Sequence, residues 1–254
     1  MSIMQSAVPL PYPSATPRRS DRFNQADVLR AALQRLTGPH TIAVFDLDST
    51  LLDNRPRQAR IVREFGLSIG DKRLQDCQPI HWEGWEIETP LKRCGLSSDE
   101  VAQLAPQAKQ FWRERFFTSA YCGDDLPNAG AANYLARVTA SEATICYVTG
   151  RHTEMGRGSE ESFERAGFPR PDGARVHLLL KPKFETADDE WKVIARDRLR
   201  QLGSVVCAFD NEPSHINSYR VGFPECYSVH LDTDHSGRPI ELLPDIPSVR
   251  DFVF

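Results

Sequence analysis

No apolar run among the 254 residues approaches the roughly 18 that a membrane span requires, so a membrane-embedded protein is not expected. Cysteine is sparse and without pattern. The six residues, at positions 77, 94, 122, 146, 207 and 226, include no C-x-x-C pair. A chain of this length buries a full core without staples, so no disulfide framework is expected and a reducing cytoplasm fits best. Cys146 and Cys207 lie in apolar runs, where cysteine acts as a small buried hydrophobe. The histidines show no H-x-x-x-H spacing, which argues against zinc. The net charge of −4 offers nothing for nucleic acid or an anionic membrane to recognise. Internal repeats and long low-complexity tracts are absent as well. The first 22 residues have neither a basic start nor a continuous apolar stretch, so they do not read as a secretory signal. Their prolines and serines predict a disordered lead.

What is present is the composition of a globular protein, sized for one large domain or for one domain with an inserted module. Residues 25–36 space their apolar positions as a helix does. Residues 41–45 form a short apolar run that reads as a strand. From 57 to about 117 the pattern is helical and polar, with breaks at 66–71, 78–79, 89–90 and 95–97. Ser97-Ser98-Asp99-Glu100 reads as a helix start, with a serine cap and acids in the first turn. After the turn-rich link at 124–130, apolar runs at 143–150, 174–181, 204–211 and 226–233 alternate with helical patterns at 132–138, 159–168 and 188–203. Such alternation predicts a parallel sheet covered by helices on both faces. Strands buried on both sides are apolar without alternation, as these are. Three of them end in chemically useful residues: Asp46 and Asp48, Thr149, and Asp210-Asn211-Glu212. Ligands in open α/β sheets bind beyond those carboxyl ends.

Three readings compete for the run FDLDST. An aspartate after a strand can simply cap the next helix. A calcium loop would place Asp46, Asp48 and Thr50 at positions 1, 3 and 5. It then requires glycine where Leu51 stands and glutamate where Arg57 stands, so it fails. The third reading is phosphoryl transfer. One carboxylate attacks phosphorus and forms an aspartyl-phosphate, the other exchanges the proton, and Mg²⁺ screens the two anions.

The stretch Phe45-Asp46-Leu47-Asp48-Ser49-Thr50-Leu51 resembles the first motif, D-x-D-x-T after an apolar strand, of the haloacid dehalogenase superfamily. The remaining motifs of that family follow in order. Thr149, closing ICYVTGR, stands where the family places a hydroxyl. Asp210 stands where it places a metal-holding acid, although Asn211 replaces the frequent second acid and Glu212 follows. The family's lysine has two main candidates. Lys192 lies early in the helix after the third strand and matches relatives with a VTGR motif; Lys181 ends that strand, and Lys183 is a weaker third choice.

The resemblance implies a three-layer α/β fold, a Rossmann-like parallel sheet core over 23–56 and 120–254, with an inserted helical cap over 57–119. It implies a phosphatase, that is, a phosphoric monoester hydrolase dependent on Mg²⁺. Asp46 would be the nucleophile and Asp48 the acid and base. Asp46, the backbone carbonyl of Asp48, and Asp210 would hold the metal, with Asn211 and Glu212 behind them. Ser49, Thr50, Thr149, Gly150 and Arg151 would hold phosphate. An acid at position 48 argues against the dehalogenases and phosphonatases of the family. A phosphotransferase or mutase would use the same residues, and a non-catalytic phosphate- or protein-binding module would keep the fold alone. The expected partner is a small phosphorylated substrate, with self-association possible. Within the expected cap, Trp82 and Trp85 are either packing residues or an aromatic wall for a substrate, and Phe111, Trp112, Phe116 and Phe117 read as core of the same module.

Overall fold

The structure, a computed structural model, describes residues 17–254. In chain order its elements are α1 (Gln25–Leu33), β1 (Thr41–Phe45), β2 (Leu52–Asp53), α2 (Arg55–Ile69), α3 (Lys72–Gln75), α4 (Glu88–Arg93), α5 (Ser98–Phe116) and α6 (Ser119–Cys122). There follow β3 (Leu126–Pro127), α7 (Ala131–Ala140), β4 (Thr144–His152), α8 (Gly156–Ala166), β5 (Val176–Lys181), α9 (Asp188–Leu202), β6 (Ser204–Asp210), α10 (Pro213–Gly222), β7 (Tyr227–Leu231) and β8 (Ser248–Val249). Six strands form one parallel sheet in the order β5-β4-β1-β6-β7-β8.

The apolar run of β1 is continuous because both faces of the sheet are covered. Successive side chains of a strand point to opposite faces. Ala43 and Phe45 enter one cluster with Leu29 of α1, Tyr134 of α7 and Phe163 of α8. Ile42 and Val44 enter the other, with Trp191 and Leu199 of α9 and Tyr219 of α10. The expected three layers are therefore present. The chain builds β4 and β5 to one side of β1, then crosses to build β6, β7 and β8 on the other. The switch in direction falls at β1, which is where open α/β sheets leave a crevice.

Between β1 and β4 the chain leaves the core as a helical segment with its own apolar cluster, in which Phe65, Leu74, Trp82, Leu91 and Val101 are buried. A two-stranded antiparallel neck, with Leu52 opposite Pro127 and Asp53 opposite Leu126, closes its base. The expected break at 66–71 is present. Helix α2 continues through Gly66 to Ile69 and is closed by Gly70, which takes the left-handed conformation at φ 74°. Gly66 is there for close approach: a Cβ on it would stand 2.7 Å from Cβ of Leu74. The Ser97 start is as read, with Ser97 N–H donating to Glu100 Oε2 at 2.7 Å in a capping box.

Two parts of the fold go beyond the sequence reading. Strand β8 was not expected. The disordered lead was placed over residues 1–22, yet Arg18 donates to the Asp232 carbonyl at 2.9 Å and Arg19 to the Ile246 carbonyl at 2.9 Å. Residues 17–22 are thereby tied to the strands at the sheet's far edge, through carbonyls that a composition argument does not see. Residues 1–16 lie outside the described residues.

Gly130 opens α7 at φ 75°, and a Cβ on it would lie 2.5 Å from the carbonyl of Phe252. Gly130→Ala combines a left-handed alanine with a clash against backbone. A loss of about 2 kcal/mol or more is expected, read as a lower midpoint in urea unfolding.

Candidate active site

Strands β1, β4 and β6 are neighbours, so the residues at their carboxyl ends meet. Asp46 follows β1 and its N–H still bonds the Phe209 carbonyl at 2.9 Å; Asp210 closes β6. Helix α9 crosses behind them. Its register is set by Trp191, whose indole N–H donates to the Thr149 carbonyl at 2.8 Å. That anchor carries the next residue, Lys192, into the crevice. The Lys192 ammonium donates to Asp46 Oδ1 at 2.7 Å, to Asp210 Oδ2 at 2.9 Å and to the Val148 carbonyl at 2.7 Å. Lys181 is elsewhere, paired with Asp188 at 2.8 Å, and Lys183 is exposed. Of the three candidate lysines, Lys192 alone reaches Asp46.

The two carboxylates of this group face one ammonium. Burial pushes Asp46 up to about 7 against the pull of Lys192, with Asp210 adding to the rise. Burial also works against ionised Asp210, but Lys192 and His215 hold it well below the ordinary carboxylate range. Burial disfavours the Lys192 ammonium, yet the two acids outweigh it and hold its pKa far above the usual value. His215, in the first turn of α10, brings Nδ1 to 3.5 Å from Asp210 Oδ1. Its burial disfavours the imidazolium, and Asp210 reverses that and raises its pKa.

Asp48 is two residues on and in different surroundings. Arg151 donates to it at 2.6 Å, Arg57 at 2.8 Å and Asn54 at 2.7 Å. The same two arginines hold Asp125, at 2.6 and 2.9 Å. The half-buried Asp48 and the buried Asp125 balance two buried arginines. Burial alone would raise Asp48, but Arg151 and then Arg57 hold it far below the usual range. Asp125 remains raised to about 6, because burial outweighs its arginines. Asp48 is thus an ionised acceptor held by three donors.

Other expected residues have mixed placements. Gly150 and Arg151 line the crevice with Asp46 and Asp48. Thr149 is fully buried, and its hydroxyl oxygen accepts from the Arg151 N–H at 3.2 Å. Ser49 takes a left-handed conformation at φ 60° and donates to Asn54. Thr50 donates to Asn211 Oδ1 at 3.0 Å, and Asn211 donates to the Asp234 carbonyl at 2.5 Å. Glu212 accepts from the Ser236 hydroxyl at 2.7 Å. Thr50, Asn211 and Glu212 therefore brace the loop after β7. Asn211 and Glu212, expected behind a metal, line the same crevice as Asp46 while their side chains make these bonds.

The sequence reading missed His215, Arg57, Asn54 and Asp125. His215 lies five residues after Asp210 and had a signal in that spacing. Arg57 and Asp125 had none, since their meeting depends on how the helical segment docks. The aromatic residues divide. Trp82 is fully buried packing, whereas Trp85, Phe116 and Phe117 line the crevice, a pocket of about 200 Å³. Phe116 also carries the Arg57 guanidinium 3.8 Å above its ring.

The oxygen donors and the unbalanced negative charge around Asp46 fit a hard divalent cation. Asp46, Asp210 and the backbone carbonyl of Asp48 are the residues that would hold it.

Lys192 gains acidic partners on folding, so its stabilisation is full below the ordinary lysine pKa and fades only as pH rises through the elevated folded value. Lys192→Met leaves Asp46 and Asp210 buried against each other. A loss of about 3–5 kcal/mol is expected near neutral pH. The deficit narrows as pH falls and Asp46 protonates, which urea titrations at about pH 5 and about pH 8 would show.

No protein-family model and no curated protein matches the sequence. Solved structures do. A putative phosphatase from Clostridium difficile matches at TM-score 0.53 and 14% identity, over 79% of this chain and 88% of its own. Protein tyrosine kinase A of Mycobacterium tuberculosis matches at TM-score 0.54 and 14% identity, over 83% and 93%. A HAD-superfamily hydrolase from Ehrlichia chaffeensis matches at TM-score 0.50 and 15% identity, over 85% and 93%. The chain shares its overall fold with these three structures over 79–85% of its length.

Proposed function

We propose that this protein hydrolyses phosphate monoesters through Asp46. The observation that carries the reading is the buried Lys192 ammonium, held between Asp46 and Asp210 at 2.7 and 2.9 Å. Lys192 occupies Asp46 Oδ1, and among the described residues Oδ2 takes no hydrogen bond. That oxygen is the nucleophile. It bonds to phosphorus while the ester P–O bond breaks and the departing oxygen takes up a proton. Water then cleaves the resulting aspartyl-phosphate and regenerates the carboxylate. Mg²⁺, held by Asp46, Asp210 and the Asp48 carbonyl, would supply charge neutralisation as the phosphoryl group approaches. Lys192 favours the ionised form of Asp46 against its burial and fixes its orientation.

Asp48 is the acid and base of the cycle, and its surroundings impose a condition. Held by Arg57 and Arg151, it is a poor proton donor at neutral pH. Arg57 belongs to α2, the first helix of the insert. The insert therefore acts as a cap whose movement loosens the grip on Asp48. The pocket suits a compact substrate. Its volume is about 200 Å³, and Trp85, Phe116, Phe117 and Met155 give it an apolar wall. Asp188 and Glu212 also face it and disfavour a highly anionic substrate. A phosphomonoester with a small apolar or aromatic leaving group is the best fit.

Hydrolysis of an aryl phosphate by the purified protein should require a divalent cation, stop with chelator and fall on the order of 1000-fold or more in Asp46→Asn. A folded, metal-supplied protein without turnover on any monoester would refute the reading. In Arg57→Gln the Asp48 pKa rises, so the alkaline limb of the rate with an alkyl phosphate should move to higher pH. If Arg57 serves packing alone, the rate should instead fall equally across the profile.

A further inference from the structure

Three side chains of the helical insert converge well away from the aspartates. Cys77 lies in the turn after α3, His81 ends a short 3₁₀ turn at Pro79–His81, and Cys94 caps the end of α4. Their ligand atoms all lie within 4.8 Å of one another, and Cys94 Sγ is 3.4 Å from His81 Nδ1. In a tetrahedral zinc site, bonds of about 2.0–2.3 Å put neighbouring ligand atoms about 3.5–3.8 Å apart. The observed spacings need only a slight closure.

His81 Nδ1 accepts the Gln78 N–H at 3.1 Å, so that nitrogen is unprotonated, and it also faces Cys94 Sγ at 3.4 Å. A zinc ion bound there would take the lone pair that the Gln78 N–H now uses and displace that hydrogen bond. Both cysteines are free thiols, Cys77 being fully buried and Cys94 half-buried. We propose that Cys77, His81 and Cys94 bind a zinc ion in the insert. Two thiolates and an imidazole suit a borderline-soft cation and not Mg²⁺, and two thiolates neutralise the dication in a partly buried place. The fourth position is open to water on the exposed side.

The ion would have a structural task. Between Cys77 and Cys94 the chain includes the loop 82–87, which has little regular structure and carries Trp85 to the pocket wall. Within that loop the Gly84 N–H also bonds Asp234 Oδ1 of the core at 2.9 Å. Zinc would clip both ends of the segment and hold Trp85 in place. This assignment stands independently of the proposed reaction, since its readouts are spectroscopic and analytical.

The full chain, purified in reductant without chelator, should retain about one zinc ion per chain by metal analysis. After removal of zinc, Co²⁺ should produce thiolate-to-metal charge-transfer absorption. Cys77→Ser and Cys94→Ser should abolish that band, His81→Gln should weaken or shift it, and Asp210→Asn should leave it unchanged. Circular dichroism identifies any variant that fails to fold. His81→Gln, at a partly exposed position, keeps the test open if a cysteine variant does fail. Folded, reduced wild-type protein that takes up no zinc and shows no thiolate band would overturn the proposal. So would a band lost in Asp210→Asn but kept in Cys94→Ser. A Cys77–Cys94 disulfide in the isolated protein, with no metal taken up after reduction, would also overturn it.

Discussion

Most of the site depends on one desolvated ammonium. Lys192 is buried beside two acids, and none of the three is tolerable there alone. Asp46 and Asp210 come from strands on adjacent tracks of the sheet, and without a cation between them their charges would force the strand ends apart or keep one acid protonated. The lysine reaches them because Trp191 pins α9 to the end of β4. Sheet, helix register and site are thus one arrangement. The same ammonium bonds the Val148 carbonyl, so three strands contribute to its cradle.

A second consequence is the contrast between two aspartates on the same short turn. Burial raises the pKa of Asp46, the ammonium it shares with Asp210 offsets that only in part, and Asp210 adds to the rise. Asp48 turns into a group in which arginines and acids are matched, which keeps it ionised. Position along the chain differs by two residues, but chemistry differs because one side chain faces the sheet and α9 while the other faces the insert. The pairing of Arg57 with both Asp48 and Phe116 joins charge state to pocket shape. Phe116 lines the pocket and is also the ring that carries the arginine holding Asp48.

The insert has two characters. Its interior is ordinary packing around Trp82 and Phe65. Its inner margin is an aromatic wall in which Trp85 meets Phe116 edge-on at 5.4 Å and Trp112 stacks on Phe116 at 4.7 Å. Trp82 and Trp85, three residues apart, fall on opposite sides of this division because the chain between them turns through Gly84 at φ 71° instead of continuing as a helix.

The sequence by itself determined the layered parallel sheet and its strand-end aspartates. Continuous apolar runs, caps and turn residues act locally and can be read locally. Asp46 and Asp210 were legible as a pair because each sits at the carboxyl end of an apolar strand. Only the tertiary structure decided between Lys192 and Lys181, since both lie near a strand end and the choice rests on which way α9 faces. It also decided that Asn211 and Glu212 brace a loop, that Arg57 and Asp125 enclose Asp48, and that two cysteines and a histidine without motif spacing share one corner. These depend on docking between segments far apart in the chain, where contact is set by packing and charge balance and leaves no periodic trace in the order of residues.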